Sequence, residues 1–88
     1  MPLISGTTTI GAAATQLTTT KQPVVFIRFT APAAAVTYGT SNITSSTGIT
    51  IAGAANDSFG AGNIVFDLTE IWCTGTQNQV LRWVAVTL

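Results

Sequence analysis

Residues 79–88 read Gln79-Val80-Leu81-Arg82-Trp83-Val84-Ala85-Val86-Thr87-Leu88, the longest apolar run in the chain. β-Branched and aromatic residues dominate it and no proline interrupts it, so it reads as a strand. Successive strand side chains point to opposite faces, which puts Leu81, Trp83 and Ala85 on one face and Val80, Arg82, Val84 and Val86 on the other. An antiparallel strand with one solvated face alternates apolar with polar residues. Here both faces are apolar apart from Arg82. The same holds for Val24 to Thr30, where Val25, Ile27 and Phe29 alternate with Val24, Phe26 and Arg28. The second face of each strand is expected to be covered, either by the N-terminal segment or by a neighbouring subunit.

Short β-branched or aromatic runs recur between clusters of Gly, Asn, Ser and Pro. No window carries apolar residues at helical spacing. Pro32 ends the Val24–Thr30 strand, and Ala35–Tyr38 reads as the next, closed by Gly39–Asn42. A polar loop at Ser45–Gly48 precedes a short strand at Ile49–Ala52. Gly53–Asp57 reads as a turn, Gly60 and Gly62 bracket another, and Asn63–Phe66 reads as a strand. In Asp67-Leu68-Thr69-Glu70 an acceptor is followed three residues later by Glu, the pattern of a capping box on a single helical turn. Ile71–Cys73 returns to strand composition, and Gly75–Asn78 makes a hairpin loop into the last strand.

The fold class expected is therefore all-β, a small antiparallel β-sandwich or barrel of about seven short strands. Residues 21–88 form its core. Residues 1–20, rich in Thr, Ala and Gly, are expected as an extended N-terminal arm with one or two short strands, anchored by Ile4, Ile10 and Leu17 and long enough to reach a neighbour. Eighty-eight residues allow one domain, and the initial Met1 reads as the start of a complete gene product.

Charged residues make up 7% of the chain and hydrophobic ones 47%, with three charges of each sign. The average soluble domain is about one-quarter charged. Near-zero net charge favours association, and Lys21, Arg28 and Arg82 are too few to neutralise a nucleic-acid backbone. Neither nucleic acid nor membrane is expected as a partner: no signal-peptide pattern opens the chain, and no apolar stretch approaches the roughly 20 residues that span a bilayer. Synthesis in a cytoplasm is expected.

Catalytic, cofactor-binding and metal sites are all expected to be absent. There is no histidine, which removes Ser-His-Asp, Cys-His and His-based metal chemistry. Cys73 has no basic neighbour in sequence and is expected to fill the core. Asp67 and Glu70 could pair as acid and base or bind calcium, but the capping role accounts for both. The glycines lack the Lys-Ser/Thr pair and helix of a phosphate loop. Asn42-Ile43-Thr44 and Asn56-Asp57-Ser58 fit the glycosylation pattern, which chance supplies readily in a chain rich in Ser and Thr. Trp72, Trp83, Tyr38 and the phenylalanines could form a sugar-stacking platform, although aromatic residues in apolar strands ordinarily pack in a core or an interface.

The stretch from Ala35 to Trp72 resembles small structural proteins of tailed bacteriophages. The residues that carry the likeness are Val36-Thr37-Tyr38-Gly39, Thr40-Ser41-Asn42-Ile43, Thr47-Gly48-Ile49-Thr50-Ile51 and the turn Asp67-Leu68-Thr69-Glu70-Ile71-Trp72. Phe66 fills the hydrophobic position before that turn, while the Thr-rich start has no counterpart. The resemblance implies a compact β-fold of the virion exterior, a capsid decoration or cement protein that stabilises capsomer junctions. Its partners would be the major capsid protein and further copies of itself, with a trimer expected. A tail, baseplate or head-fibre component and a carbohydrate-binding attachment module are the alternatives. Ile4, Ile10, Leu17, Phe26, Arg28, Arg82, Val84 and Val86 are the interface candidates.

Overall fold

The structure is a computed structural model that describes residues 2–44, 47–60 and 64–87. Two antiparallel sheets pack face to face as a small β-sandwich. The nine strands among the described residues are β1 (Leu3–Thr9), β2 (Thr15–Gln16), β3 (Pro23–Thr30), β4 (Val36–Gly39), β5 (Ile49–Ile51), β6 (Asn56–Phe59), β7 (Phe66–Asp67), β8 (Trp72–Gly75) and β9 (Val80–Thr87). One sheet runs β1-β9-β3-β6, with β7 also pairing β3; the other runs β2-β8-β4-β5.

The two long strands read from sequence lie side by side at the centre of the larger sheet, where Phe29 faces Trp83 and Ile27 faces Ala85. These four residues point between the sheets and are buried. From the smaller sheet, Val36, Tyr38, Ile51 and Cys73 meet them in the same core. Phe29 and Tyr38 meet across the gap as a tilted ring pair with centroids 4.5 Å apart. A bulge between Val24 and Phe26 places one extra residue in β3, so Val24 and Val25 are both buried while Phe26 turns outward. Bulges locally break the two-residue alternation in this way.

Residues 2–20, expected as an arm, belong to the sandwich. β1 pairs with β9 over its whole length, from Leu3 opposite Val86 to Thr9 opposite Val80. The chain then crosses to the other sheet, where β2 pairs with β8. Ile10 and Leu17 at this crossing are core residues. Weak apolar patterning is enough here because the two strands borrow their hydrogen bonds and apolar cover from β9 and β8.

Two expectations differ from the structure in detail. Asn56 and Asp57, read as part of a turn, lie in β6, whose partner is β3. Their turn-forming composition is offset by specific bonds: Thr30 donates its hydroxyl to Asn56 Oδ1 at 2.8 Å and Tyr38 donates its own to Asp57 Oδ2 at 2.9 Å. Ile64 and Val65, read as a strand, are exposed and outside any strand, and pairing resumes only at Phe66. Ser45 and Ser46 of the expected polar loop, and Gly62 and Asn63 of the following turn and strand, lie outside the described residues.

The capping box forms as read. Asp67 accepts from the Thr69 N–H at 2.9 Å and the Thr69 hydroxyl at 2.7 Å, while its own N–H donates to Glu70 Oε1 at 3.0 Å. One 3-10 turn, Leu68–Glu70, follows and buries Leu68. The Thr69 hydroxyl and N–H hold the Asp67 carboxyl below the usual carboxylate range. A depressed folded-state pKa contributes stability that is present above the ordinary carboxylate pKa and is lost as pH falls through the depressed one. Asp67→Ala is therefore expected to lower the melting temperature at pH 7 and to flatten the acid limb of a stability–pH curve. Identical acid limbs for the two proteins would refute this role.

Candidate docking surface

The register of the larger sheet fixes which side chains share its outer face. Leu3, Ser5, Thr7 and Thr9 stand on β1 opposite Val86, Val84, Arg82 and Val80 of β9. On the far side of β9, Phe26, Arg28 and Thr30 of β3 stand opposite Val86, Val84 and Arg82. Nothing in the described chain lies over this face. Leu3 is 67% exposed, Val84 46% and Val80 40%. β1 extends the sheet sideways, so the cover expected from the N-terminal segment is not supplied and the outer face, a mixture of apolar, hydroxyl and guanidinium side chains, remains open.

Arg28 and Arg82 are diagonal neighbours at the centre of this face, since Arg28 stands opposite Val84 and Thr30 opposite Arg82. With Ser5, Thr7, Thr30 and Val84 they border a shallow depression of about 400 Å³. Two of the chain's three cations thus sit together, and among the described residues neither meets a carboxylate. Guanidinium groups present planar, forked donors suited to carboxylates. A surface that complements this one is apolar around a carboxylate.

The sequence-derived interface candidates divide by face. Phe26, Arg28, Arg82, Val84 and Val86 share the outer face. Ile10 and Leu17 do not, being 0% and 3% exposed inside the core. Ile4 also points inward, opposite Ala85, and packs on that core. These three anchor the N-terminal strands instead of meeting a neighbour. Leu3 and Val80 complete the face and are missing from the sequence-derived set. Val80 follows from the alternation of the last strand, whereas Leu3 becomes readable only once β1 is known to be a strand.

The groups considered for chemistry are occupied structurally. Cys73 is fully buried, donates weakly to the Thr15 carbonyl at 3.5 Å, and has its thiol pushed up to about 11 by burial. Tyr38 is raised as well, first by burial and then by its hydrogen bond to Asp57 and that carboxylate's charge. Among the described residues no three His, Cys, Asp or Glu side chains gather to hold a metal, and no helix is long and apolar enough to cross a membrane. Of the aromatic residues, Phe29, Tyr38 and Trp83 are buried and Phe26, Phe66 and Trp72 are half-buried, leaving Phe59 exposed at the sheet edge. Comparison with known protein families, curated proteins and solved structures returns no match to this chain.

Proposed function

We propose that the chain is a non-enzymatic structural protein of the virion exterior, a capsid decoration subunit that binds through the outer face of its larger sheet. The observation that carries this reading is the open face itself, where Leu3, Val80 and Val84 are exposed around Arg28 and Arg82. Leu3 and Val84 flank the half-buried Val86 and Phe26 beside the two guanidinium groups, and an exposed apolar cluster rimmed by polar groups marks an interaction surface. The likeness of residues 35–72 to phage structural proteins supplies the kind of partner, the major capsid protein, and the open face supplies the means. Attachment adds buried area across capsomer junctions and so resists internal pressure. Three charges of each sign leave little long-range repulsion between subunits crowded on a lattice. Of the aromatic side chains only Phe59 is exposed, which favours this reading over a sugar-binding platform.

The test has two parts. Mass spectrometry of purified virions is expected to find the chain at a copy number comparable to that of the major capsid protein; a handful of copies would place it in the tail. Val84→Asp should melt like the parent, because Val84 faces outward, yet lose attachment. The new carboxylate stands opposite Arg28 and takes up the guanidinium that a partner's carboxylate would meet, so attachment should weaken about tenfold or more. Arg82→Ala should also spare the fold and weaken binding less. Undiminished attachment of Val84→Asp would move the docking surface elsewhere.

A further inference from the structure

We propose that β1 is the contact strand between two copies of this chain, pairing antiparallel with its own counterpart about a two-fold axis at Gly6 so that the larger sheets of both copies become continuous. The inference rests on the β1 backbone and not on the attachment reading above.

Which β1 groups are free follows from the ladder. Ile10 donates its N–H to the Gln79 carbonyl at 2.9 Å, and Thr87 donates to the Pro2 carbonyl at 3.0 Å. Both contacts join directly opposed residues of the β1–β9 register, in which Ile4 faces Ala85, Gly6 faces Trp83 and Thr8 faces Leu81. In an antiparallel pair, residues that exchange hydrogen bonds alternate with residues that do not. The even-numbered residues of β1 therefore bond to β9. The N–H and C=O of Leu3, Ser5, Thr7 and Thr9 point the other way, to an edge that pairs with nothing among the described residues.

Native sheets blunt such edges with short strands, charges, prolines or bulges. Every other outer strand here is blunted. β2 and β7 have two residues, β5 has three, and β6 has four and carries Asp57. β1 runs for seven residues, Leu3-Ile4-Ser5-Gly6-Thr7-Thr8-Thr9, with no charge, no proline and no register shift.

The strand is also complementary to itself. With Gly6 on the two-fold axis, Leu3 of one copy stands opposite Thr9 of the other, and Ser5 opposite Thr7. All four outward residues then exchange both backbone bonds with their counterparts. Gly6 falls at a non-bonded position, where opposed side chains crowd most closely, and it has none. Its inner side is already filled, since a Cβ there would lie 2.5 Å from Trp83 Cζ2. The nearest charges are the two Arg82 side chains, opposite Thr7 on β9. Three inter-strand spacings separate them, about 14 Å, beyond the screening length at physiological salt. An isologous contact of this kind closes on two copies.

Ser5→Pro tests it on the full chain. The Ser5 N–H faces the open edge, so proline there removes no bond within the subunit, as edge positions allow. The variant should melt like the parent at low concentration, while its dissociation constant rises by about tenfold or more from two lost backbone bonds. In the parent, light scattering should give two copies. Amide exchange at Ser5, Thr7 and Thr9 should slow as concentration rises through the dimer range, while exchange at Thr30 and Thr50 does not. Should Ser5→Pro unfold, the exchange pattern of the parent decides alone. A monomeric parent, a trimer, or a dimer with freely exchanging Ser5, Thr7 and Thr9 amides overturns the proposal. A monomer would return this edge to solvent or to a strand of another protein.

Discussion

Trp83→Ala is expected to leave the subunit largely unfolded. Trp83 is 8% exposed and faces Phe29 at the centre of the larger sheet. Its indole lies across Gly6, and its Nε1–H donates to the Thr8 hydroxyl at 3.2 Å, which donates to the Leu17 carbonyl at 2.7 Å. One side chain thereby ties β9 to β1 and, through Thr8, to the chain that crosses to the smaller sheet. Deleting a buried aromatic costs roughly 3–5 kcal/mol. At about 0.05–0.15 kcal/mol per residue, a chain of this length has about 4–13 kcal/mol in all. Trp83→Phe should cost far less, because the ring volume is largely kept and the Thr8 hydroxyl still has its Leu17 acceptor. Arg82→Ala, one residue away on the opposite face, should melt like the parent. Urea titrations of the three variants provide the check. A Trp83→Ala midpoint equal to the parent's, with Arg82→Ala unfolded, would invert the face assignment.

The two apolar strands made the fold legible, because their composition and alternation are intrinsic to β-structure and survive any arrangement of neighbours. The capping box was legible for the same reason: its donors and acceptors lie within four residues. What escaped the sequence depends on distant partners. β1 carries few apolar residues, and nothing local distinguishes an arm from a strand that borrows its hydrogen bonds from β9, seventy-odd positions away. Removing residues 1–15 would therefore expose the Trp83 ring and the core beneath it. Asn56 and Asp57 look like turn residues until Thr30 and Tyr38 hold them in place. The open outer face was half legible. Phe26, Arg28, Arg82, Val84 and Val86 follow from alternation alone, but whether the arm covered them depended on tertiary placement. Ile10 and Leu17 were misplaced because an apolar residue in a weakly patterned segment reads equally well as an anchor on a neighbour or on the chain's own core.

The protein should be unusually sensitive to alkali, and Cys73 should be the first cause. Its thiol is fully buried between the sheets, and burial raises its pKa from the ordinary 9.0 to about 11. The native state thus keeps its proton over a range in which the unfolded chain releases it. A folded-state pKa above the unfolded value contributes stability that is whole below about pH 9 and is lost as pH rises toward 11. With a full pKa unit equal to about 1.4 kcal/mol, and with allowance for solvent screening, the loss is about 2 kcal/mol. Tyr38 is raised in the same direction by burial and by Asp57, so a second decline begins above its ordinary 10.0 and steepens the curve. Urea midpoints measured at intervals from pH 7 to pH 11 should fall progressively above pH 9. Cys73→Ala should begin from a lower plateau, because the sulfur leaves a gap, yet stay flat from pH 9 to pH 10. Tyr38→Phe should keep the decline that Cys73 causes and lose the steeper part. A parent midpoint that holds steady to pH 11 would refute the argument, and so would a Cys73→Ala curve that falls in parallel with the parent's, because the alkaline loss would then come from charges outside the core.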